Sequence, residues 1–466
     1  MAHTHPSLSP ALPLTPDQRF SLSQPSGGQI WLRFDTPLRA DRARAALIDM
    51  GKDGAVIPIK PILTAPCLSG SFWRKLREHY FRARTLTALY QEGFSLAWRP
   101  SKAAVRSPVA RPAPQAASIV RPIKANRTAP IFVGYDDHTG LAENKRMMKA
   151  ALQGISGQTA FHLRTAQDIP AEIQRLQRRN LALQHIGFLL WEFPTLPKAH
   201  QQALDLLDQI WVPSEFVRST YANATQSPVI NVGKGLSDPG ITHRREPGIR
   251  AAIIFDANSS VERKNPLAAV RAFQNAFPRQ HYPTASLTVK TTPFQDTTWG
   301  DPFDQLGQIR RLASEDRRIC LIETLWPFEQ VMALIARSSC LISAHRSEGF
   351  GYMPARALQI GTPVIATDYS GTRDFCTTAT AWPVRSLLVE TPEQAHPIPM
   401  PNSIWADPKP DDLAAALAAC HDAPNDARSK VAAGKDLMAR YYSLSAFRAR
   451  CEHALKDKET DLRLSA

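Results

Sequence analysis

From Pro130 onward, short apolar runs alternate with segments of helical periodicity, and no other feature constrains the fold as strongly. Each run has the length of a single strand, and each intervening segment is long enough for one helix. The clearest runs are residues 130–135, 186–191, 209–213, 228–232, 251–256, 286–290, 319–322 and 340–344. This alternation predicts an α/β protein whose parallel sheets are covered by helices on both faces.

A chain of 466 residues predicts two or three domains, and its composition changes along its length. Residues 1–28, rich in Pro, Ser and His, are expected to be disordered. The remaining predicted parts are an extension (29–129) that contains a basic helix (72–90) and a Pro-rich linker, a first Rossmann-like domain (130–245), a second one (246–430), and C-terminal helices that pack back on the first (431–466).

The cysteines and the lack of long apolar runs indicate the compartment. Six scattered cysteines without a C-x-x-C pair favour reduced thiols, and Cys320 and Cys340 are expected to fill the core of strands. No run approaches the about 20 residues of a membrane helix, and residues 1–14 lack a secretory pattern. We therefore predict a cytoplasmic protein. The net charge of +14 also suits peripheral contact with an anionic membrane surface at its inner face.

Charged side chains and glycines follow three strands of the second predicted domain, where α/β sheets bind ligands. Arg263 and Lys264 come after the first of these strands, Lys290 ends the next, and Glu348 precedes the Gly349-Phe350-Gly351 turn after a third. Cations and helix N-terminal amides bind phosphates, and a carboxylate accepts hydrogen bonds from sugar hydroxyls. This combination predicts a sugar-diphosphate site.

Several motifs in order resemble the retaining GT-B glycosyltransferases of glycosyltransferase family 4. They are HRSEGFG at 345–351, GTPVIAT at 361–367, YSG at 369–371, FDANSSVERKNP at 255–266, WVPS at 211–214 and WADP at 405–408. The resemblance extends from about Pro130 to the C-terminus. It implies two Rossmann-like domains with parallel sheets that face a central cleft, the second of which binds a nucleotide-sugar donor.

The resemblance also assigns roles. Glu348 would contact the donor sugar, and Arg263 and Lys264 the diphosphate, so these three are the predicted catalytic residues. The residues predicted to bind the donor are Gly349, Phe350, Gly351, Lys290, Ser370, Gly371, Thr372, Gly140 and Arg356. Glu192, His138 and His162 are weaker candidates, for which a structural role is the favoured interpretation.

Two positions depart from the family pattern. A second glutamate, which binds the nucleotide ribose, is expected eight positions after Glu348, but Arg356 occupies that place. Arginine cannot accept hydrogen bonds from ribose hydroxyls, so either the ribose is bound otherwise or the nucleotide preference differs. The N-terminal loop is also less rich in glycine, with Ala142 and Asn144 in place.

The predicted function is transfer of a sugar with retention from a nucleotide-sugar donor to a glycan or lipid-linked saccharide, in polysaccharide biosynthesis. No cofactor is predicted, and the absence of any Asp-x-Asp sequence predicts that no metal is required. The alternative suggested by Arg356 is a catalytically impaired GT-B scaffold that binds or regulates a partner. A nucleic-acid partner is not predicted, because only the net charge suggests one.

Overall fold

The chain divides into two compact units, Met1–Pro122 and Ile123–Ala466. The structure is a computed structural model, and it describes residues 20–23, 29–33, 95–99, 129–135, 140–179, 183–244, 246–295, 301–395 and 402–464.

In the first unit, three strands form an antiparallel sheet in the order β1-β2-β3. They are β1 Phe20–Ser23, β2 Gln29–Arg33 and β3 Ser95–Arg99. Residues 20–23 of the segment 1–28, for which the sequence predicts disorder, form β1. The predicted helix 72–90 and the Pro-rich linker lie outside the described residues.

The first parallel sheet of the second unit has the strand order β4-β5-β6-β7-β8. Its strands are β4 Ile131–Gly134, β5 Thr159–Leu163, β6 Gln184–Phe188, β7 Gln209–Val212 and β8 Val229–Asn231. The helices between them are α1 Gly140–Ala151, α2 Ile169–Gln177, α3 Gln201–Leu204 and α4 Glu215–Ala222. Alternate strand residues face opposite layers: Trp211 packs with α1, and Ile210 packs with α2 and α4.

The second sheet is also parallel, in the order β11-β10-β9-β12-β13-β14. Its strands are β9 Arg250–Phe255, β10 Ser286–Thr291, β11 Ile319–Glu323, β12 Cys340–Ser343, β13 Val364–Thr367 and β14 Trp382–Val384. The chain winds outward in one direction from β9 to β11 and in the other from β12 to β14. The switch point between β9 and β12 is where a doubly wound sheet opens a crevice at the carboxyl ends of its strands.

Helices cover both faces of this sheet, and each face has its own apolar core. The helices are α5 Val261–Lys264, α6 Pro266–Ala276, α7 Gln305–Glu315, α8 Phe328–Arg337, α9 Tyr352–Ile360, α10 Pro410–Asp422 and α11 Pro424–Tyr441. The short helix α5 ends at Lys264, because Asn265 is left-handed (φ 51°), and α6 begins at Pro266.

Two further elements pack against the first sheet. The C-terminal helix α12, Leu444–Leu464, buries Phe447 and Cys451 among residues of α1 and the sheet. The hairpin of β15 Ser386–Glu390 and β16 Ile404–Pro408 carries Trp405, whose ring stacks on Phe193 with 6.3 Å between centroids. Both parallel sheets thus lie in the second unit, and two parallel sheets covered by helices are what the predicted GT-B class requires.

The structure corrects the prediction for one of the two strand cysteines. Cys340 is buried in the core as predicted, but Cys320 is exposed because β11 is the edge strand of its sheet.

Within the described ranges, no helix combines the length and the apolar character needed to cross a membrane.

Candidate functional site

The loops that follow β9 and β12 bring two cations to one carboxylate at the switch point. Lys264 Nζ contacts Glu348 Oε1, and Arg263 Nη1 lies 3.4 Å from Glu348 Oε2. The three side chains are largely buried, with exposed fractions of 2% for Arg263, 19% for Lys264 and 14% for Glu348. Residues 84 or more positions apart in the sequence therefore form one charged cluster.

The two cations set the charge state of Glu348. Burial alone would raise the pKa of this carboxyl, but the charges of Lys264 and Arg263 outweigh burial and lower its pKa to about 2. Glu348 is consequently ionised at neutral pH, which suits it to accept hydrogen bonds from hydroxyl groups.

Backbone geometry fixes Arg263. Ser260 has a positive φ of 60°, and its hydroxyl caps α5 by accepting a hydrogen bond from the Arg263 N–H at 3.2 Å. The Arg263 guanidinium donates to the carbonyls of Ser347, at 2.8 Å, and Ser259, at 3.0 Å. Non-glycine residues with positive φ concentrate at functional sites because the surrounding structure must hold them there.

The Glu348 loop is interlocked with the turn after β13. Glu348 N–H donates to Ser370 Oγ at 2.8 Å, and Gly371 N–H donates to the Glu348 carbonyl at 2.9 Å. A Cβ atom on Gly371 would lie 2.3 Å from the Gly349 carbonyl oxygen, so only glycine permits this approach. The two predicted donor-binding turns form one rigid structure.

Behind this structure, His345 joins the same turn from within the core. Its Nδ1 is 2.9 Å from Ser343 Oγ, and its Nε2 is 3.1 Å from Thr372 Oγ1 and 3.3 Å from the Tyr369 carbonyl. Burial lowers the pKa of His345 to about 4, so the ring is neutral at pH 7. Because the ring is neutral, it adds no charge to the cluster of Glu348, Lys264 and Arg263.

The amides of Gly349, Phe350 and Gly351 precede α9, and within the described part of the chain none of them has a hydrogen-bond acceptor. Gly351 is left-handed with φ 89°, which directs the chain into the helix. Free amides at the start of a helix can bind an anion. They lie in the same loop as Glu348.

The first sheet contacts this loop directly. Ser214 Oγ donates to the Gly349 carbonyl at 2.6 Å, and Ser347 Oγ donates to the Glu192 carbonyl. A Cβ atom on Gly349 would lie 2.9 Å from the Trp191 carbonyl oxygen. The weak candidate Glu192 thus contributes its backbone to the contact between the two sheets.

Three other predicted residues make no contact with the Glu348 cluster within the described part of the chain. Lys290 Nζ donates to the carbonyls of Thr291, at 2.8 Å, and Thr324, at 2.6 Å, and burial lowers its pKa. Gly140 begins α1, and the turn before it (136–139, including His138) lies outside the described residues.

Arg356 is the third of these predicted residues, and it is 1% exposed. Its Nη1 donates to the Ser237 carbonyl at 2.5 Å, and its Nη2 donates to the Tyr352 hydroxyl at 2.7 Å. Most of its donors are therefore occupied by the protein.

Sequence reasoning missed Lys234, which follows β8 in the connection between the two sheets. This lysine is 6% exposed, and its Nζ lies 4.6 Å from the centroid of the Tyr352 ring. A lysine between two glycines at the carboxyl end of a strand was the available signal. The remaining weak candidate, His162, is buried in the first sheet with its Nε2 3.0 Å from His185 Nδ1.

No group of three or more His, Cys, Asp or Glu side chains in the described ranges is arranged to hold a metal ion. Independence from metals stays a prediction from the sequence.

A comparison with protein families agrees with the motifs. Residues 214–448 match the sequence model of a family described as "Family 4 Glycosyltransferase in conflict systems". This span covers half of the chain and includes both loops of the charged cluster. No curated protein matches the chain significantly.

Among solved structures, the chain is similar to a point mutant of S. aureus TarM in complex with fondaparinux, alpha-GlcNAc-glycerol and UDP. The identity is 12%, the TM-score is 0.45, and 67% of this chain and 58% of the TarM chain are covered. It is similar to a sucrose-phosphate synthase of Thermosynechococcus elongatus at 13% identity and TM-score 0.49, over 68% and 78% of the two chains. It is also similar to a UDP-forming trehalose-phosphate synthase of Burkholderia xenovorans. The identity is 13%, the TM-score is 0.49, and 64% of this chain and 73% of that chain are covered.

Proposed function

Because the chain belongs to the family 4 glycosyltransferases in conflict systems, we propose that it transfers a sugar with retention from a nucleotide-diphosphate donor. The observation that carries this proposal is the convergence of Arg263, Lys264 and Glu348 at the switch point of the second sheet. The two cations can bind a diphosphate, and the ionised carboxylate beside them can accept hydrogen bonds from sugar hydroxyls.

In the proposed reaction, donor and acceptor react on the same face of the transferred sugar. The bond between the anomeric carbon and the diphosphate oxygen breaks, and a bond to the acceptor hydroxyl oxygen forms. The acceptor proton passes to the leaving diphosphate, so no protein base is needed. Arg263 and Lys264 stabilise the negative charge that develops on the leaving group.

The other predicted residues take supporting roles in this proposal. The amides of Gly349, Phe350 and Gly351 bind the diphosphate, and the Ser370-Gly371-Thr372 turn holds that loop in place. Lys290, Gly140 and Arg356 remain predicted donor contacts. Of these, Arg356 would act through Tyr352, because most of its own donors are engaged.

For the acceptor we propose a glycan or a lipid-linked saccharide, with polysaccharide biosynthesis as the process. The net charge of +14 supports an anionic acceptor or attachment to an anionic membrane surface. The description of the family refers instead to conflict systems, so acceptor screens should cover both settings. Flotation with vesicles that contain phosphatidylserine tests the membrane part, which fails if the protein does not float.

The decisive experiment incubates the purified protein with UDP-, GDP- and ADP-sugars. We expect donor hydrolysis or a thermal shift with at least one donor, and loss of hydrolysis in Lys264→Ala and Glu348→Ala. If no donor gives hydrolysis or a thermal shift, the proposed function is overturned.

A second candidate function is a GT-B scaffold without catalysis, which the engaged position of Arg356 favours. Such a scaffold would bind a partner in a way that Lys264→Ala and Glu348→Ala do not change. Sugar transfer that both substitutions abolish would exclude it.

A further inference from the structure

Lys234 lies in a connection whose backbone is fixed on both sides. Gly233 N–H donates to Asn231 Oδ1 at 3.0 Å, and Gly235 N–H contacts Met147 Sδ of α1 at 3.2 Å. Two residues after Lys234, Leu236 N–H donates to the Tyr442 carbonyl at 2.7 Å. The lysine is thus held between the first sheet and the start of α9.

The ammonium group of Lys234 has aromatic neighbours but no hydrogen-bond acceptor among the described residues. Its Nζ lies 4.6 Å from the centroid of the Tyr352 ring and 5.9 Å from that of Phe350, a residue of the Glu348 loop. Considering only residues that the structure describes, it has neither a hydrogen bond nor an ion pair. A buried ammonium without a partner is costly, and contact with aromatic faces offsets only part of that cost.

The charged groups around Lys234 come from three elements. Glu143 in the first turn of α1 and Glu348 in its loop attract the ammonium, and Arg356 of α9 repels it. Tyr352 is neutral, because burial raises its pKa. Burial lowers the pKa of Lys234 to about 8 despite the two carboxylates.

The carboxylates near Lys234 are already engaged. Glu348 is paired with Arg263 and Lys264, and Glu143 with Arg146 at 3.0 Å. The positive charge at this end of the cleft is therefore not balanced by the side chains that face Lys234.

We infer that Lys234 is a third cation of the donor site and binds a phosphate oxygen of the nucleotide diphosphate. The inference rests on the proposed function and adds a residue from the connection between the sheets to the two cations of the second sheet. A diphosphate would supply the acceptor that the ammonium lacks in the described part of the chain, next to the amides of residues 349–351 that precede α9.

The test compares the wild type with Lys234→Met and Lys234→Arg. Binding of UDP, GDP and ADP is measured by isothermal titration calorimetry at pH 7 and pH 9. At pH 7 we expect Lys234→Met to weaken binding at least tenfold and Lys234→Arg by less than threefold. The matched control is Lys430→Met, which removes a lysine that also lies over an aromatic ring, that of Trp382, and should change binding less than twofold.

The pH dependence provides a second readout. The wild type should lose about tenfold in affinity between pH 7 and pH 9, because the ammonium loses its proton above about pH 8. Lys234→Arg should lose much less, because arginine stays charged. This comparison holds even if Lys234→Met does not fold.

The outcomes separate the two proposals. If the wild type binds none of the three nucleotides, both the donor assignment and the role of Lys234 are overturned. If the wild type binds and Lys234→Met binds equally well, or Lys234→Arg keeps the full loss at pH 9, only the role of Lys234 is overturned.

Discussion

The hydroxyl of Ser214 donates a hydrogen bond of 2.6 Å to the carbonyl of Gly349, and this bond joins the first sheet to the Glu348 loop. Ser214 has a second role as the N-cap of α4, because its oxygen accepts from the Val217 N–H at 3.3 Å. One buried hydroxyl therefore both caps the start of α4 and contacts the loop that carries the ionised carboxylate.

Ser214→Ala removes both interactions. We expect the free energy of unfolding to fall by about 1 kcal/mol for the lost cap, with a further loss for the unpaired Gly349 carbonyl. Urea denaturation and donor hydrolysis measure the two effects. Ser214→Thr keeps the hydroxyl and should retain most of both stability and activity. Equal activity in Ser214→Ala and the wild type would show that the bond does not position the loop.

Gly349→Ala tests the close approach of the loop to the first sheet. The new methyl carbon would lie 2.9 Å from the Trp191 carbonyl oxygen, so the loop must move away from it. We expect donor hydrolysis to fall about 100-fold, a loss typical of displaced catalytic groups. Gly157→Ala is the control, because the nearest atom to its methyl group would be 3.6 Å away. Unchanged hydrolysis in Gly349→Ala would contradict a fixed loop.

Much of the fold was predictable because local patterns determine it. The strands around Ile253 and Ile342 are continuous apolar runs, and such runs are typical of parallel strands that are buried on both faces. The exposure of Cys320 was not predictable, since the sequence does not show which strand lies at the edge of a sheet.

The site was predictable only in part. Strand ends placed Arg263, Lys264 and Glu348 at one edge of the sheet, where the structure brings them into contact. The roles of Ser214 and Lys234 depend on how the first sheet meets the second. No local pattern shows such long-range contacts, although the lysine between two glycines was a signal for Lys234.

Glu348→Gln should separate catalysis from nucleotide binding. The amide keeps the shape but loses the charge that pairs with Lys264 and Arg263. We expect kcat for donor hydrolysis to fall about 100-fold, while the affinity for the nucleoside diphosphate stays equal or increases, because both cations are released. Asp316→Asn, which breaks the buried pair with Arg318, should lower the Tm without lowering kcat. Weaker nucleotide binding in Glu348→Gln would contradict the assignment of the cations.

Arg356→Glu restores the acidic residue of the family pattern, but it should not restore ribose binding. The guanidinium is buried and donates to the Ser237 carbonyl and the Tyr352 hydroxyl, so a carboxylate would face a carbonyl oxygen. We expect a loss of about 3 kcal/mol in the free energy of unfolding, measured by urea denaturation. Arg356→Met should lose less, because it buries no charge. A stable Arg356→Glu protein with tighter nucleotide binding would contradict the structural role of Arg356.

The pair of His162 and His185 should make the protein sensitive to acid. Burial and the charge of His185 lower the pKa of His162 from its ordinary value of 6.5 to about 3. Below pH 6.5 the unfolded chain therefore takes up a proton at this residue that the folded protein does not, and stability falls as the pH falls toward 3. At pH 5 the loss in the free energy of unfolding relative to neutral pH should be about 2 kcal/mol.

Urea denaturation at pH 7 and pH 5 measures this loss, and His162→Gln should remove most of it. The control is His421→Gln, which changes an exposed histidine and should leave the difference unaltered. The same loss in His162→Gln as in the wild type would mean that other groups cause the sensitivity to acid.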